Sequence, residues 1–273
     1  MKINIAILGS TGSIGENILD IVRKDKKNLK VVLLTANKNY KKLIQQAKEF
    51  KVKNILIYND KYYEFLKVKL KGRKINIFSR KTKLNKILKK KVDYTICGIS
   101  GLDGLKPTLD VIKFTKTIAS ANKESIICGW YLINKKLKKY NTKFIPIDSE
   151  HYSIWNLTRE YSNNDIEEII LTASGGPLLN SPIRIQKTIT PEKTVRHPKW
   201  KMGKKISVDS ANLMNKVFEI MEASKMFNFD LEKYKIFIHP QSYAHTIIKF
   251  KNGLIKMLLH DTDMKIPIFN SIY

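Results

Sequence analysis

The sequence predicts an α/β protein in two parts. An N-terminal domain is built on a parallel sheet with helices on both faces, and an α+β domain with a mixed sheet follows. Three observations carry this. Over roughly the first 120 residues, short apolar runs alternate with amphipathic ones in regular β-α-β order, the pattern of a sheet buried on both faces. The first apolar run ends in a glycine-rich turn, Gly9-Ser10-Thr11-Gly12-Ser13-Ile14-Gly15. After about Pro146 the regular alternation stops, and polar loops interrupt less regular strands.

In chain order, residues 3–8 read as the first strand, and 16–24 as a helix whose apolar positions recur at helical spacing. Residues 30–34 form a second strand, 40–50 an amphipathic helix and 54–58 a third strand. A helix is expected at 61–70, a strand at 75–78, a short basic helix at 83–91 and a buried strand at 94–97. Residues 105–114 read as helix, and a further strand starts at 117–119. The domain boundary falls between 147 and 148, giving domains of 1–147 and 148–273. Beyond it, 166–172, 235–238, 244–250 and 254–259 read as strands, with Lys251-Asn252-Gly253 as a hairpin signal between the last two. Residues 207–223 read as one helix capped by Asp209 or Ser210. Leu213, Met214, Val217, Ile220 and Met221 form its expected buried stripe, and Asn212, Asn215, Lys216, Glu219 and Glu222 its other face.

Composition excludes several classes. A chain of 273 residues buries enough core to need no disulfide or structural metal. Its two cysteines, Cys97 and Cys128, lie in apolar contexts, which argues for a reducing compartment. No apolar run approaches the ~20 residues of a membrane span. The N-terminus runs straight into a strand, so no leader peptide and a cytoplasmic location are expected. The net charge of +27 is almost all lysine, in a chain also rich in Ile, Asn and Tyr. Those four residues share A/T-rich codons, so the charge needs no nucleic-acid partner, whose recognition would draw more on arginine. The lysine-rich stretches 67–74 and 81–91 read as solvated faces.

Four patterns carry chemistry. The glycine-rich turn follows a strand and opens a helix, so it can present backbone N–H groups and a positive helix end to a diphosphate. The second strand ends in Asn37-Lys38-Asn39, with no carboxylate for a ribose hydroxyl and a lysine suited to a 2′-phosphate; NADP(H) is favoured over NAD(H). Asp148 and Glu150 share a face if the strand before them continues, and two carboxylates there suit a hard cation, Mg²⁺ or Mn²⁺. Glu219 can bring a third carboxylate, while Ser210, Asn215 and Lys216 offer donors for a phosphate; an ordinary polar helix face is the alternative. Ser174-Gly175-Gly176-Pro177 offers further anion donors. The irregular stretch from there to Lys205, with His197 and Trp200 near its end, reads as a lid.

The motifs GSTGSIG at 9–15, ANKES at 121–125, DSEH at 148–151, SGGP at 174–177, HPKWKMGKKISVDSANLMNK at 197–216 and HPQSYAH at 239–245 resemble, in order and spacing, the 1-deoxy-D-xylulose 5-phosphate reductoisomerase family. The resemblance implies a Rossmann-like NADPH-binding domain, then a catalytic domain that also forms a homodimer. It implies conversion of 1-deoxy-D-xylulose 5-phosphate, a small sugar phosphate, to 2-C-methyl-D-erythritol 4-phosphate in the non-mevalonate isoprenoid pathway, with NADPH and Mg²⁺ or Mn²⁺. Carried over by motif, Asp148, Glu150 and Glu219 are metal ligands, and Lys123 and His197 join them as catalytic residues. Ser149 and Lys123 contact the substrate, and Ser174, Ser210, Asn215 and Lys216 hold its phosphate with His197 beside them. Thr11, Gly12, Ser13 and Ile14 line the cofactor diphosphate, Asn37, Lys38 and Asn39 face the ribose phosphate, and Asn122, Lys123, Glu124 and Gly203 lie along the rest. Trp200 and Met202 belong to the lid.

The sequence departs from the family pattern in three places. Val217 stands where the motif usually continues N-K-G, bringing bulk beside the phosphate donors. Thr262 and Lys265 stand where proline and arginine are usual. The family's C-terminal helical domain has no counterpart in the 273 residues, so a C-terminally truncated chain is expected. Two other readings stay open at this point: a truncated remnant that binds NADP(H) without turnover, and a nucleic-acid-binding protein resting on charge alone.

Overall fold

The computed structural model describes residues 2–182, 188–195, 200 and 203–273. The chain divides into two compact units, one of Met1–Ile147 with Ile268–Tyr273 and one of Asp148–Pro267.

In the first unit the alternation yields β1 (Ile3–Leu8), α1 (Ser13–Lys24), β2 (Leu29–Ala36), α2 (Tyr40–Glu49), β3 (Asn54–Ile57), α3 (Asp60–Lys69) and β4 (Asn76–Ser79). It continues through β5 (Val92–Cys97), α4 (Leu105–Val111), β6 (Thr115–Ser120), α5 (Lys123–Tyr140) and β7 (Lys143–Pro146). The strands lie in the order β4-β3-β2-β1-β5-β6-β7, all parallel. Ile5, Ile7, Leu33, Leu34, Ile55, Ile96 and Ile118 are fully buried, as strands covered on both faces require. Strand order reverses between β1 and β5, which places the glycine-rich turn at the switch point where open α/β sheets bind ligands. Ile268 is fully buried, and the Ser271 hydroxyl lies 2.6 Å from the Tyr94 hydroxyl, so the last residues are built into this unit.

The second unit contains α6 (Ser149–Thr158), β8 (Ile166–Ala173), α7 (Pro191–Thr194), α8 (Lys204–Ala211), α9 (Met214–Phe227), β9 (Tyr234–Ile238), β10 (Ala244–Phe250) and β11 (Ile255–Leu259). The last helix, α10 (Lys265–Ile272), begins there and ends in the first unit. The sheet runs β11-β10-β8-β9, antiparallel at β10 and parallel between β8 and β9, hence mixed as expected. One face carries Ile169, Leu171, Ile248 and Phe250, which cluster with Ile154 of α6 and Ala223 of α9. The 251–253 turn closes the hairpin with Gly253 at φ +85°, a conformation that glycine adopts without cost.

Four sequence expectations are corrected. Residues 83–91 form only a single 3₁₀ turn, Leu84–Lys86, because Ile87 and Leu88 are the sole buried anchors among flanking lysines. Asp148 does not extend a strand; it is the N-cap residue of α6, so Glu150 sits in the first helical turn. The helix expected over 207–223 is two helices, broken where Leu213 takes φ +62° and the Asn212 side chain accepts the Met214 N–H at 3.1 Å. A short polar side chain competing for backbone donors breaks helices in this way. The faces of α9 are also largely reversed: Lys216, Glu219 and Glu222 are buried and Leu213, Met214, Val217 and Met221 exposed, although Ile220 packs against the core as expected and Asn212 stays exposed.

Candidate active site

The glycine-rich turn is held from three sides. Gly9, at φ +80°, approaches Gly98 at the end of β5 so closely that a Cβ would crowd the Gly98 carbonyl. A Cβ on Gly15 would overlap the backbone of Gly9 and Ser10, so α1 sits directly on the turn. The buried Ser10 hydroxyl donates to the Gln46 side-chain oxygen at 2.8 Å, with the Thr35 carbonyl 3.2 Å away. Gln46 returns an amide hydrogen bond to the Ser10 carbonyl at 2.9 Å and another to the Glu16 carboxylate. The turn is therefore fastened to β2 and α2. No side chain caps α1 at Gly12, and Gly12 and Ser13 are exposed. Thr11 and Ile14 are half-buried beside them. Uncapped N–H groups in a rigid glycine turn are the arrangement that binds a diphosphate.

At the end of β2, Asn37, Lys38 and Asn39 are exposed. Asn39 already has a structural task, since its side chain accepts the Lys42 N–H at 3.2 Å and caps α2. Asn122 is more committed still. Its amide nitrogen donates to the carbonyls of Ile99 and, at 2.8 Å, Gly101, and its oxygen accepts the Ser125 N–H at 2.9 Å. It thus caps α5 and fixes the loop after β5. Lys123 is buried and Glu124 half-buried on the first turn of that helix.

The second unit assembles the acidic group. Asp148, Glu150 and Glu219 each offer a carboxylate oxygen, and these atoms lie within 4.8 Å of one another. Their convergence is produced by packing: α6 delivers two of them from its start, and α9 delivers the third from its buried face. The buried Lys216 ammonium reaches Glu150 at 2.6 Å and Glu219 at 2.5 Å, and the Asn215 amide donates to Glu219 at 2.5 Å. Ser149 donates to Glu150 at 2.5 Å. Burial pushes the Glu150 carboxyl up, but the adjacent Lys216 outweighs it and holds Glu150 below its usual range. Burial likewise lowers Lys216, and the two glutamates more than reverse this, keeping the ammonium charged. A cluster that already accommodates a cationic group, with oxygen donors only, fits a hard divalent ion.

Ser174 opens a turn in which Gly175 and Gly176 take φ +82° and +70°. The Ser174 hydroxyl accepts the Gly176 N–H at 3.1 Å. A Cβ on Gly176 would overlap the Ser210 carbonyl, so the turn is seated against the end of α8. The turn that Ser174 opens thus lies against the Ser210 backbone, and the Ser210 hydroxyl donates back to the Ile206 carbonyl at 2.9 Å. Val217 is 42% exposed, next to the buried Lys216 on α9 but turned to a different face of the helix. Gly203 is exposed and is the N-cap residue of α8. His197 and Met202 lie outside the described residues.

One cluster escaped sequence reasoning. His245 and His260 stack at 3.8 Å, and Trp200 meets His245 edge-on at 5.9 Å. His245 Nε2 lies 3.1 Å from the His260 carbonyl, and next to it the Thr246 hydroxyl donates to the Glu150 carbonyl at 3.1 Å. The signal was present in HPQSYAH at 239–245, whose last residue begins this link to the acidic group.

A family model for 1-deoxy-D-xylulose 5-phosphate reductoisomerase matches residues 5–129, and one for the C-terminal domain of that enzyme matches 144–227. The chain is 56% identical over 271 residues to the reductoisomerase of Pelagibacter ubique (strain HTCC1062), covering 98% of itself and 70% of that relative. It is 43% identical over 267 residues to that of Wolbachia pipientis wMel, covering 97% and 67%. Among solved structures, the Zymomonas mobilis reductoisomerase in complex with NADPH aligns at 36% identity with a TM-score of 0.87, covering 98% of this chain and 69% of that one. A DOX-P reductoisomerase in complex with NADPH, fosmidomycin and magnesium aligns at 33% identity with a TM-score of 0.91, covering 100% and 69%. With sequence identity, coverage and architecture in agreement, the chain belongs to the 1-deoxy-D-xylulose 5-phosphate reductoisomerase family.

Proposed function

We propose that the chain converts 1-deoxy-D-xylulose 5-phosphate to 2-C-methyl-D-erythritol 4-phosphate with NADPH and Mg²⁺ or Mn²⁺. The observation that carries this is the convergence of Asp148, Glu150 and Glu219 beside the Lys216 ammonium. Related structures complexed with NADPH and with magnesium support both cofactors. A divalent ion at the three carboxylates would stabilise charge developing on substrate oxygens during the carbon-skeleton rearrangement.

The chain's own residues bind and orient. Ser149 and Lys123 contact the substrate. Ser174, Ser210, Asn215 and Lys216, with His197 beside them, hold its phosphate, and binding energy so far from the reacting carbons serves to position them. Thr11, Gly12, Ser13 and Ile14 receive the cofactor diphosphate on the uncapped start of α1. Asn37, Lys38 and Asn39 face the ribose phosphate, with Lys38 as the charge that selects NADPH. Asn122, Lys123, Glu124 and Gly203 lie along the remainder of the cofactor. Because the Asn122 amide is spent on the fold, its part is to shape the loop after β5. Reduction of the rearranged aldehyde draws on the hydride of the nicotinamide, which the protein aligns.

Substrate-dependent oxidation of NADPH in the presence of Mg²⁺ tests the reading. Turnover is expected, and EDTA or D148N should abolish it. Tight NADPH binding with no turnover at saturating substrate and metal overturns it in favour of a non-catalytic NADP(H) binder.

The protein is further proposed to be a cytoplasmic homodimer. No helix among the described residues is long and apolar enough to cross a membrane. Among the described residues, the sheet of the second unit leaves Phe237, Ile255, Met257 and Leu259 exposed. A second copy is the fitting occupant of that apolar surface, since a two-fold contact sets such a face against itself.

A further inference from the structure

Glu222 lies one turn beyond Glu219 on α9 and is fully buried. One of its carboxylate oxygens is 3.5 Å from Nε2 of His151, a fully buried residue in the first turn of α6. The His151 ring is engaged at both nitrogens. Nδ1 lies 3.2 Å from a carboxylate oxygen of Asp148, and Nε2 lies 2.9 Å from the backbone carbonyl of Glu219. One imidazole therefore links the side chain of one member of the acidic cluster to the backbone of another, across the packing of α6 on α9.

We propose that Glu222 is a positioning residue for a divalent cation held by Asp148, Glu150 and Glu219. Acting through His151, it fixes the rotation of the Asp148 carboxylate and the placement of the α9 turn that carries Glu219. The assignment rests on the metal reading above. Glu222 is not one of the three carboxylates that can share an ion among the described residues. Its carboxylate nonetheless carries the desolvation cost of full burial, which is met only by a fixed partner nearby. Glu222 meets the His151 ring as a 3.5 Å contact, while the ring's hydrogen bonds run to the Asp148 carboxylate and the Glu219 carbonyl, so the ring carries the contact to a donor oxygen of the cluster. Groups in that outer position orient metal ligands, and their loss lowers metal affinity by about 10–100-fold.

The test is Mn²⁺ binding to the full chain, followed by electron paramagnetic resonance, for the unaltered protein, E222Q, H151N, the double variant and D148N. E222Q should weaken Mn²⁺ binding by about 10–100-fold while its circular dichroism and NADPH affinity stay unchanged. H151N should lose a similar factor, and the double variant no more than the larger single loss, because the two act in one chain. E222D, which keeps the charge, should recover part of the affinity. Mn²⁺ affinity of E222Q within about two-fold of the unaltered chain, with only the melting temperature lowered, would show Glu222 to be purely structural and overturn the proposal. Should E222Q fail to fold, H151N carries the same expected loss and the same refutation. An unaltered protein that binds Mn²⁺ no better than D148N overturns the metal reading, and this assignment with it.

Discussion

Asn39 and Asn122 show how a side chain of the right type can be occupied elsewhere. Both stand beside the expected cofactor path, yet Asn39 caps α2 and Asn122 caps α5 while tethering the loop after β5. The motif identified the positions, but hydrogen-bond partners 21 to 23 residues upstream could not be read from it. Lys38 differs, being exposed with its charge available at the end of β2. A lysine beside a 2′-phosphate adds a charge-assisted hydrogen bond that a bare ribose hydroxyl does not gain. The unaltered protein should therefore bind NADPH several-fold more tightly than NADH in a fluorescence titration, and Lys38→Ala should narrow the gap chiefly by weakening NADPH. Equal dissociation constants for the two dinucleotides in the unaltered chain would remove the basis for NADP selectivity.

Among the elements, the strands were the most legible. β10 occupies the residues that its apolar pattern marked, and the β1 turn and α1 follow the glycine spacing. The reading of α9 failed for a physical reason. Periodicity separates an apolar face from a polar one, and burial of the apolar face is an added assumption. Here Lys216, Glu219 and Asn215 satisfy one another together with Glu150, so the polar face can be the buried one. The 174–177 turn gives a sharp test at this scale. Gly176 needs both its φ of +70° and the space that a Cβ would take from the Ser210 carbonyl, whereas Gly72, at φ +80°, has nothing within 4 Å. Gly72→Ala should cost about 1–2 kcal/mol, the backbone penalty alone. Gly176→Ala should cost more, because the turn must also move off α8. It should weaken competition by inorganic phosphate at the substrate site while leaving NADPH binding intact. Equal melting temperatures for the two variants would show that Gly176 is not held against Ser210.

For the whole chain, the two-part organisation was readable because the strand pattern changes character near Pro146. The return of Ile268–Tyr273 to the first unit was not, since a short apolar helix carries no mark of the surface that it will join. Exposed apolar residues among the last ~50 positions are expected from the sequence and are found, but their alignment into one face was hidden, because register decides which residues align. Met257 pairs with Ile247, and Ile247 with Ile170, so three apolar side chains form one row across β11, β10 and β8. On β11 the alternate residues Ile255, Met257 and Leu259 are 56%, 51% and 57% exposed, an apolar edge strand, while Lys249 beside Ile255 and Lys235 beside Ile170 put charge at the margins of the same face. A second copy placed there by a two-fold axis would withdraw the row from water on both chains at once. Met257→Lys puts a charge at the β11 end of the row, between Ile255 and Leu259. Across a two-fold contact it also sets like charges close together, at a cost larger than the lost apolar area alone. Light scattering should find the unaltered protein dimeric and Met257→Lys largely monomeric at the same concentration, with NADPH affinity unchanged because the cofactor turn belongs to the other unit. A monomeric unaltered protein, or a dimer indifferent to Met257→Lys, would assign this face to a different occupant.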